Sequence, residues 1–190
     1  METMEKPSKV FDALLVLSAK SGDKKALNLL AERWHKKLCL QAYRYTKDWS
    51  MAQDMAQDSW DSIMQKLGSL KDVNRFGSWA LSIVTRKALD WLKKEKKELD
   101  HLKTHYKESK TLFEEPVNKK EEQIQKVLEA LKFLPRDQKV VMTLFYLEEY
   151  SLKEVSEITG ASMNTVKTRL FRAREKLKSI VKNKDDEKRN

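Results

Sequence analysis

The spacing of the apolar side chains constrains the fold of this chain more than any other feature of its sequence. Near the C-terminal end, apolar residues recur every three or four positions, at Met163, Val166, Leu170, Ala173, Leu177 and Ile180. This spacing is typical of a helix with one buried stripe. Only 4 Gly and 3 Pro occur among the 190 residues, and good helix formers are abundant. The sequence therefore predicts an all-α protein.

Capping residues and chain breaks place eight helices along the chain. Asp23 is predicted to cap the second helix, Ser50 with Gln53 forms a capping-box pattern for the third, and Pro135 takes the first helical position of the sixth. The expected ranges are 9–21, 23–46, 50–68, 75–97, 121–132, 135–146, 151–159 and 162–182.

The segment between the fourth and fifth helices differs from the rest of the chain. In residues 99–120 the apolar period breaks down, and both charges are mixed with one proline. Such a composition is typical of a flexible linker. We therefore expect two small helical domains, residues 1–98 and 121–190, joined by this linker.

The chain is strongly basic, with 39 Lys and Arg against 29 Asp and Glu, a formal charge of +10 and a pI near 9.5. This balance favours a polyanionic partner, either nucleic acid or an anionic membrane surface. No apolar run approaches the roughly 20 residues of a spanning helix, and the start METMEKPSK does not resemble a signal peptide. We expect a cytoplasmic protein that is not an integral membrane protein, with its single cysteine, Cys39, buried in a helix.

Residues 151–162 have the pattern of two helices joined by a tight bend. Ser151 and Glu154 form a capping box, and Gly160 supplies the bend. The inner face of the first helix is predicted to consist of Leu152, Val155 and Ile158. The second domain is therefore expected to contain a helix-turn-helix.

The exposed face of the following helix has the composition of a DNA-binding surface. Its phenylalanine can contact a thymine methyl group, and its basic and amide side chains can reach base edges in the major groove. The candidate residues, together called the recognition face, are Asn164, Thr165, Lys167, Thr168, Phe171 and Arg172. The alternative from this segment alone is ordinary surface charge on an amphipathic helix.

The stretch FLPRDQKVVMTLFYLEEYSLKEVSEITGASMNTVKTRLFRAREKL resembles region 4 of the sigma-70 family, in the short form called extracytoplasmic-function (ECF) sigma factors. LPRDQK followed at this distance by TVKTRLFRAR makes the resemblance specific. It implies that the second helix recognises the −35 promoter element, with Lys167, Thr168, Phe171 and Arg172 at the matching positions. Arg169 and Arg174 are expected to hold phosphates or local acids.

In SMAQDMAQDSWDSIMQKL the helical period predicts an inward face of Ala56, Trp60, Ile63, Met64 and Leu67. The outward residues, together called the acidic face, are Asp54, Gln57, Asp58 and Asp61. An acidic face on a basic protein indicates a second partner that is basic or polar, unless it only keeps the domain soluble. The family resemblance implies docking on the clamp helices of the largest polymerase subunit, and Asp54, Gln57 and Asp58 match that motif.

The segment NRFGSWALSIVTRKALDWLKKEKK resembles sigma regions 2.3 and 2.4, with Phe76, Trp79, Ile83 and Asp90 at matching positions. The resemblance implies recognition of the −10 element and strand opening, which needs a pocket for a flipped base and basic contacts to the strand. The candidates, together called the strand-opening set, are Lys71, Asn74, Arg75, Arg86, Lys87, Lys93 and Lys94. Phe76 and Trp79 are expected in the core. Arg86 and Ala80 stand where the family commonly has Asn and Leu.

Nothing in the sequence points to catalysis or to a cofactor. There is no glycine-rich phosphate loop or nucleophile motif, and the three histidines lack ligand support at metal-binding spacing. The leading hypothesis is an ECF sigma factor that binds RNA polymerase core and promoter DNA and is regulated by an anti-sigma factor. The alternatives are a conventional helix-turn-helix regulator that acts without polymerase, and an interaction protein that mimics a sigma factor.

Overall fold

A computed structural model describes residues 7–101 and 130–187 of the chain. Every regular element in these two ranges is helical, which confirms the all-α prediction. The helices are α1 (Pro7–Lys20), α2 (Lys24–Thr46), α3 (Trp49–Lys66), α4 (Phe76–His101), α5 (Arg136–Met142), α6 (Leu152–Thr159) and α7 (Met163–Glu187). Leu67–Ser69 and Val73–Arg75 are 3₁₀ turns, and Thr143–Leu147 extends α5 by one π turn. Residues 99–101 of the expected linker belong to α4, whereas the rest of it and most of the expected helix 121–132 lie outside the described ranges.

The helix starts show which capping predictions were correct. Asp23 caps α2, because its carboxylate accepts hydrogen bonds from the backbone N–H groups of Lys25 and Ala26. The prediction for α3 was wrong: Asp48 is the cap and accepts from Met51 N at 3.0 Å, so Ser50 already lies inside the helix. Pro135 is the residue before α5 and not its first helical residue. Both errors shift a boundary by one or two positions, the usual uncertainty of helix ends.

Helices α1 to α4 form the N-terminal half (residues 7–101), in which α2 packs against each of the other three. Phe76 at the start of α4 meets Trp34 of α2 edge-on, with ring centroids 5.4 Å apart. Asp12 of α1 is buried because Trp34 Nε1 and Arg33 Nε both donate to its carboxylate, at 3.1 and 2.7 Å. This polar link fixes α1 on α2. Cys39 is buried as expected, and burial raises the pKa of its thiol.

The C-terminal half (residues 130–187) contains the expected helix-turn-helix, formed by α6 and α7. The Ser151 and Glu154 capping box is present at the start of α6. Gly160 ends α6 with φ of 68°, a left-handed conformation that glycine adopts without steric cost. Val155 and Ile158 of α6 are buried in the same cluster as Val166 and Leu170 of α7. The predicted stripes therefore close the corner between the two helices.

Two methionines predicted to face inward are exposed. Met64 is 48% exposed because Trp60, Ile63 and Leu67 already form the buried stripe of α3 and Met64 lies beside it. Met163 is 43% exposed because it is the first residue of α7 and lies before the turn that packs on α6. The rest of the α7 stripe is buried or half-buried, from Val166 to Ile180.

The two halves pack against each other, which the sequence did not predict. One buried cluster includes Leu30 and Phe76 from the N-terminal half and Val140 and Leu144 from the C-terminal half. Helix α4 contacts α6, and α2 contacts α5. A Cβ on Gly77 would lie only 2.5 Å from Trp34 Cη2 and 3.1 Å from Tyr150 Oη. The absence of a side chain at position 77 therefore permits close packing where the halves meet.

Candidate nucleic-acid interface

The recognition face of α7 is accessible along its whole length. All six of its residues are exposed, and Phe171 has 62% of its surface in contact with solvent. On the opposite side, Val166, Leu170 and Ala173 are buried and hold the helix against the rest of the domain. A phenylalanine kept exposed by a rigid helix, among short polar and basic side chains, is available to a partner such as a major groove.

Local hydrogen bonds fix the first turns of α7. Ser162 Oγ accepts from Thr165 N at 3.1 Å and lies 2.8 Å from Thr165 Oγ1. Thr168 Oγ1 donates to Asn164 O at 2.9 Å. These contacts leave the side-chain amide of Asn164 exposed. The N-terminal end of the recognition helix is therefore rigid and presents polar groups to solvent.

Two arginines of α7 have partners within the C-terminal half. Arg169 forms an ion pair with Asp137 of α5. The guanidinium of Arg174 lies over the Tyr146 ring, 5.8 Å from its centroid. Arg169 therefore holds a local acid, one of the two roles expected for it, and helps to fix α7 on α5.

The acidic face of α3 is exposed at Asp54, Gln57, Asp58 and Asp61. Beneath it, Ala56, Trp60 and Ile63 are buried in the N-terminal core. The helix is thus held on one side and presents three carboxylates and one amide on the other. This arrangement can bind a basic or polar surface of a partner protein.

The strand-opening set extends over the loop before α4 and along α4 itself. Lys71, Asn74, Arg86, Lys93 and Lys94 are exposed, while Arg75 and Lys87 are half-buried. Lys93 Nζ lies 3.2 Å from Asp90 Oδ1, one turn earlier on the same helix. Phe76 and Ala80 are buried, as expected for core positions, and Trp79 and Ile83 are half-buried against the same core.

Arg75 does not point freely to solvent. Its guanidinium forms an ion pair with Glu157 of α6, and the hydrogen bond that Arg75 donates to this carboxylate raises the pKa of Arg75. Asn74 lines a crevice of about 160 Å³ together with Tyr150 and Glu154. Two members of the strand-opening set therefore face the C-terminal half.

Sequence reasoning missed the residues that join the two halves. Arg44 of α2 forms an ion pair with Glu148, and Tyr150 is buried between the halves. Burial raises the pKa of Tyr45 to about 12 and raises that of Tyr150 as well. One signal was available: Glu157 puts a negative charge on the first helix of a DNA-binding motif, where a basic side chain of the protein is a better partner than DNA.

The described ranges contain no group of three or more His, Cys, Asp or Glu residues arranged to hold a metal ion. In the same ranges, no helix is both long and apolar enough to cross a bilayer.

Family models match both parts of the chain. The model described as Sigma-70 region 2 matches residues 30–98, and the model described as Sigma-70, region 4 matches residues 124–177. The RNA polymerase sigma factor SigV of Bacillus subtilis is 34% identical over 148 residues, which are 76% of this chain and 84% of the relative. The ECF RNA polymerase sigma-E factor of Haemophilus influenzae is 29% identical over 182 residues, 90% of this chain and 95% of the relative.

Solved structures share the fold. The sigma factor RpoE of Bartonella quintana, in complex with the anti-sigma factor NepR, is similar with a TM-score of 0.66 and 22% identity, over 83% of this chain and 98% of that one. CnrH, in complex with the cytosolic domain of CnrY, is similar with a TM-score of 0.58 and 21% identity, over 91% of this chain and 98% of that one. At these identities the likeness establishes the architecture.

Proposed function

This chain belongs to the sigma-70 family as an ECF sigma factor, which binds RNA polymerase core and directs promoter recognition, and we propose that three of its surfaces divide this work. The acidic face of α3 attaches the chain to polymerase. The recognition face of α7 contacts duplex DNA. The strand-opening set binds the separated strand. The observation that carries this proposal is that the acidic face and the recognition face are both exposed, on separate rigid helices.

Duplex recognition is supported by the chemistry of the first turns of α7. Arg172 can form two hydrogen bonds to a guanine edge, Asn164 can pair with adenine, and Phe171 can contact a thymine methyl group. Lys167 and Thr168 complete the positions that match the −35 contacts of the family. Thr165 lies in the first turn of α7 and can contact a phosphate.

Strand opening is supported by the basic side chains along α4. Arg86 and Lys93 are seven residues apart, so they lie on nearly the same side of the helix, and both are exposed. Lys87 and Lys94 repeat that spacing on the adjacent side. A strand that follows α4 therefore meets successive positive charges, which favours binding of a displaced backbone. Arg86, where the family commonly has Asn, serves as a phosphate or guanine contact.

Polymerase binding is supported by the acidic face, which has the wrong charge to contact a DNA backbone. Asp54, Gln57 and Asp58 occupy the positions of the family motif that docks on the clamp helices of the largest polymerase subunit. Asp61 extends the face by one turn. Complementary charge at such a surface raises the association rate and suppresses wrong partners.

The remaining assignments follow from this role. The chain acts without catalytic activity of its own, as a dissociable specificity subunit of polymerase, and it works in the cytoplasm where polymerase and promoter DNA are located. An anti-sigma factor is its further partner, since two similar folds were solved with such a factor or with a cytosolic partner domain bound. The domains follow the division into residues 1–98, the linker 99–120, and 121–190.

A conventional regulator that binds duplex DNA without polymerase fits the findings less well. Such a protein needs a helix-turn-helix and a dimerisation surface. It does not need a region that matches Sigma-70 region 2 over residues 30–98 or an exposed acidic face.

Reconstitution with polymerase core tests the proposal. Sigma-free core and the purified chain are combined on a library of promoter fragments, and transcript starts are sequenced. Core-dependent transcripts that share two motifs at a fixed spacing are expected. Duplex binding by the chain alone, with no transcript in the presence of core, would favour the regulator.

A further inference from the structure

Helix α1 exposes an apolar surface to solvent. Its inner side is packed, since Leu15 and Val16 are buried in the core. Its outer side carries four large apolar side chains that are each between 44% and 56% exposed. These residues, together called the apolar ridge, are Val10, Phe11, Leu14 and Leu17. Single exposed apolar residues are usual on protein surfaces, but a contiguous group of this kind marks a binding surface.

The apolar ridge is continuous because its residues follow the helical period. Val10, Leu14 and Leu17 succeed one another at intervals of four and three residues, so they share one side of α1 over about 10 Å. Phe11 lies one turn before Leu14 and beside it. The guanidinium of Arg33 of α2 lies over the Phe11 ring, 4.9 Å from its centroid. The ridge therefore borders α2 at Arg33.

The side of α2 that borders the ridge adds one apolar residue and further positive charge. Leu29 is four positions before Arg33 and is 46% exposed. Lys25 is four positions before Leu29 and Lys36 is seven positions after it, so both lie on its side of the helix, and both are exposed. Glu32 is an exposed acid between them. The apolar surface is thus bordered mainly by cations.

The charge around the ridge favours an anionic occupant. Helices α1 and α2 together carry eight Lys and Arg but only two acids, and one of these acids, Asp12, is buried. Lys9 and Lys20 are exposed near the two ends of the ridge. A second copy of the chain would bring like charges together, which disfavours association. A DNA backbone would attract the cations but would offer no apolar surface to the leucines.

The shape of the surface distinguishes a bilayer from a partner helix. An amphipathic helix of a partner protein binds in a groove. The crevice that Asn74 lines and a second crevice of about 340 Å³ beside Arg169 are formed by other residues, and no residue of the ridge lines either of them. The ridge is the outer side of a single helix. Such a surface can enter the headgroup and acyl boundary of a bilayer, while the neighbouring lysines contact anionic lipids.

We propose that α1 and the adjacent side of α2 dock the chain on an anionic lipid bilayer, with the apolar ridge inserted and Lys25 and Lys36 at the headgroups. The helix lies in the membrane interface, since among the described helices none is long and apolar enough to span a bilayer. Because only a few side chains insert, the contact is reversible and depends on salt. This inference goes beyond the proposed function and uses none of its three surfaces.

Vesicle flotation tests the docking with the full chain. Vesicles of equal parts phosphatidylglycerol and phosphatidylcholine are compared with vesicles of phosphatidylcholine alone. The parent chain should float with the anionic vesicles and not with the neutral ones, and the bound fraction should decrease at high salt. Failure of the parent chain to bind the anionic vesicles would overturn the proposal and would leave a protein as the occupant of the ridge.

A basic chain can adhere to anionic vesicles by charge alone, so the ridge needs its own variant. Leu14→Gln combined with Leu17→Gln keeps the charge and should weaken binding to the anionic vesicles at least about tenfold. Phe133→Gln combined with Leu147→Gln, at similarly exposed apolar positions of the C-terminal half, is the matched control and should bind as the parent chain does. Circular dichroism verifies that both variants are folded. Equal binding by the folded Leu14→Gln, Leu17→Gln variant and the parent chain would refute the docking.

An environment-sensitive fluorophore tests insertion directly. Ser18→Cys, at an exposed position one turn after Leu14, is labelled with a nitrobenzoxadiazole group in a Cys39→Ala background. Its fluorescence should rise and shift to shorter wavelength on the anionic vesicles, because the label enters a less polar environment. The same label on Gln65→Cys, at an exposed position of α3, should not respond. Equal responses at the two positions, or none at position 18, would contradict insertion of the ridge.

Discussion

The recognition face and the strand-opening set differ in how the structure presents them. Every residue of the recognition face is exposed, and the helix beneath it is fixed by buried side chains. The strand-opening set is divided: Arg86 and Lys93 are exposed, whereas Arg75 is paired with Glu157 of the other half. The recognition face is thus fully accessible in this structure, whereas part of the strand-opening set is engaged in the contact between the two halves.

This difference follows from where each surface lies in the fold. Duplex recognition needs only a rigid helix with an open face, so it can be preformed. The strand-opening set lies on the loop before α4 and along α4, beside the surface that packs on the C-terminal half, so a proposed strand contact at Arg75 competes with its ion pair to Glu157.

The largest expected effect tests whether the two halves form one folding unit. All five tryptophans lie in the N-terminal half, so tryptophan fluorescence reports on that half: they are Trp34, Trp49, Trp60, Trp79 and Trp91. Ile158→Ala removes a fully buried side chain from the C-terminal half and should cost about 2–5 kcal/mol of unfolding free energy.

If the halves unfold together, the tryptophan-monitored urea midpoint should fall in Ile158→Ala as much as the midpoint from circular dichroism. Ile63→Ala, in the N-terminal core, is the control that should shift the fluorescence transition in either case. A fluorescence midpoint unaffected by Ile158→Ala would show that the halves unfold independently.

Arg172→Ala addresses the preformed surface. Loss of a base contact should cost about 1–3 kcal/mol and relax the preference at one position of the −35 element. The assay is holoenzyme binding to promoter duplexes varied at each position. Arg174→Ala, which changes an arginine that lies over Tyr146, should leave the sequence preference intact. An equal loss on every sequence would identify Arg172 as a phosphate contact.

Alkaline pH tests the packing between the halves. Burial raises the pKa of Tyr45 to about 12. Below about pH 10, the ordinary pKa of a tyrosine, the folded and the unfolded state both keep the phenol proton, so the free energy of unfolding does not change. Between about pH 10 and the pKa of Tyr45 in the folded state, only the unfolded state loses the phenol proton. The free energy of unfolding should therefore fall by up to about 1.4 kcal/mol per pH unit in this range.

Tyr45→Phe should remove the decrease in unfolding free energy that Tyr45 causes at alkaline pH. Urea unfolding at a series of pH values would measure it. Tyr150→Phe, at the other buried tyrosine of the interface, should act in the same direction, since burial raises that pKa too. An identical slope in Tyr45→Phe and the parent chain would show that the phenol is not buried in the folded state.

The smallest expected effect concerns the exposed charge pair between the halves. A double-mutant cycle of Arg44→Ala and Glu148→Ala should give a coupling free energy of about 0.2–1 kcal/mol, because both side chains are partly exposed and screened. The coupling should decrease at high salt. No coupling at low salt would mean that the two halves do not meet there.

The elements within each half could be predicted from the sequence because local chemistry determines them. Asp23, the Ser151 and Glu154 capping box, and Gly160 act through contacts only a few residues apart. The buried stripes of α3 and α7 follow from the helical period. Their prediction was wrong only at the edges, where Met64 and Met163 are exposed. The exposure of the acidic face and the recognition face follows from the same stripes.

The packing of the two halves could not be predicted because it joins residues far apart in the chain. Arg75 and Glu157 are 82 positions apart, and Arg44 and Glu148 are 104 apart. A basic residue before α4 fits a DNA contact and an ion pair equally well in sequence. Burial of Ser78, Ser82 and Thr85 was also hidden, because small hydroxyl residues are usual on exposed helix faces.

The affinity of the chain for polymerase core tests the division of labour most directly. It is measured with Asp54→Asn and Asp58→Asn combined, beside a control in which the exposed acids Glu32 and Glu175 are changed to Gln. The account predicts at least about a tenfold weaker affinity for core in the first variant, an affinity near that of the parent chain in the control, and unchanged helicity in both. Full affinity for core in the folded Asp54→Asn, Asp58→Asn variant would contradict the account.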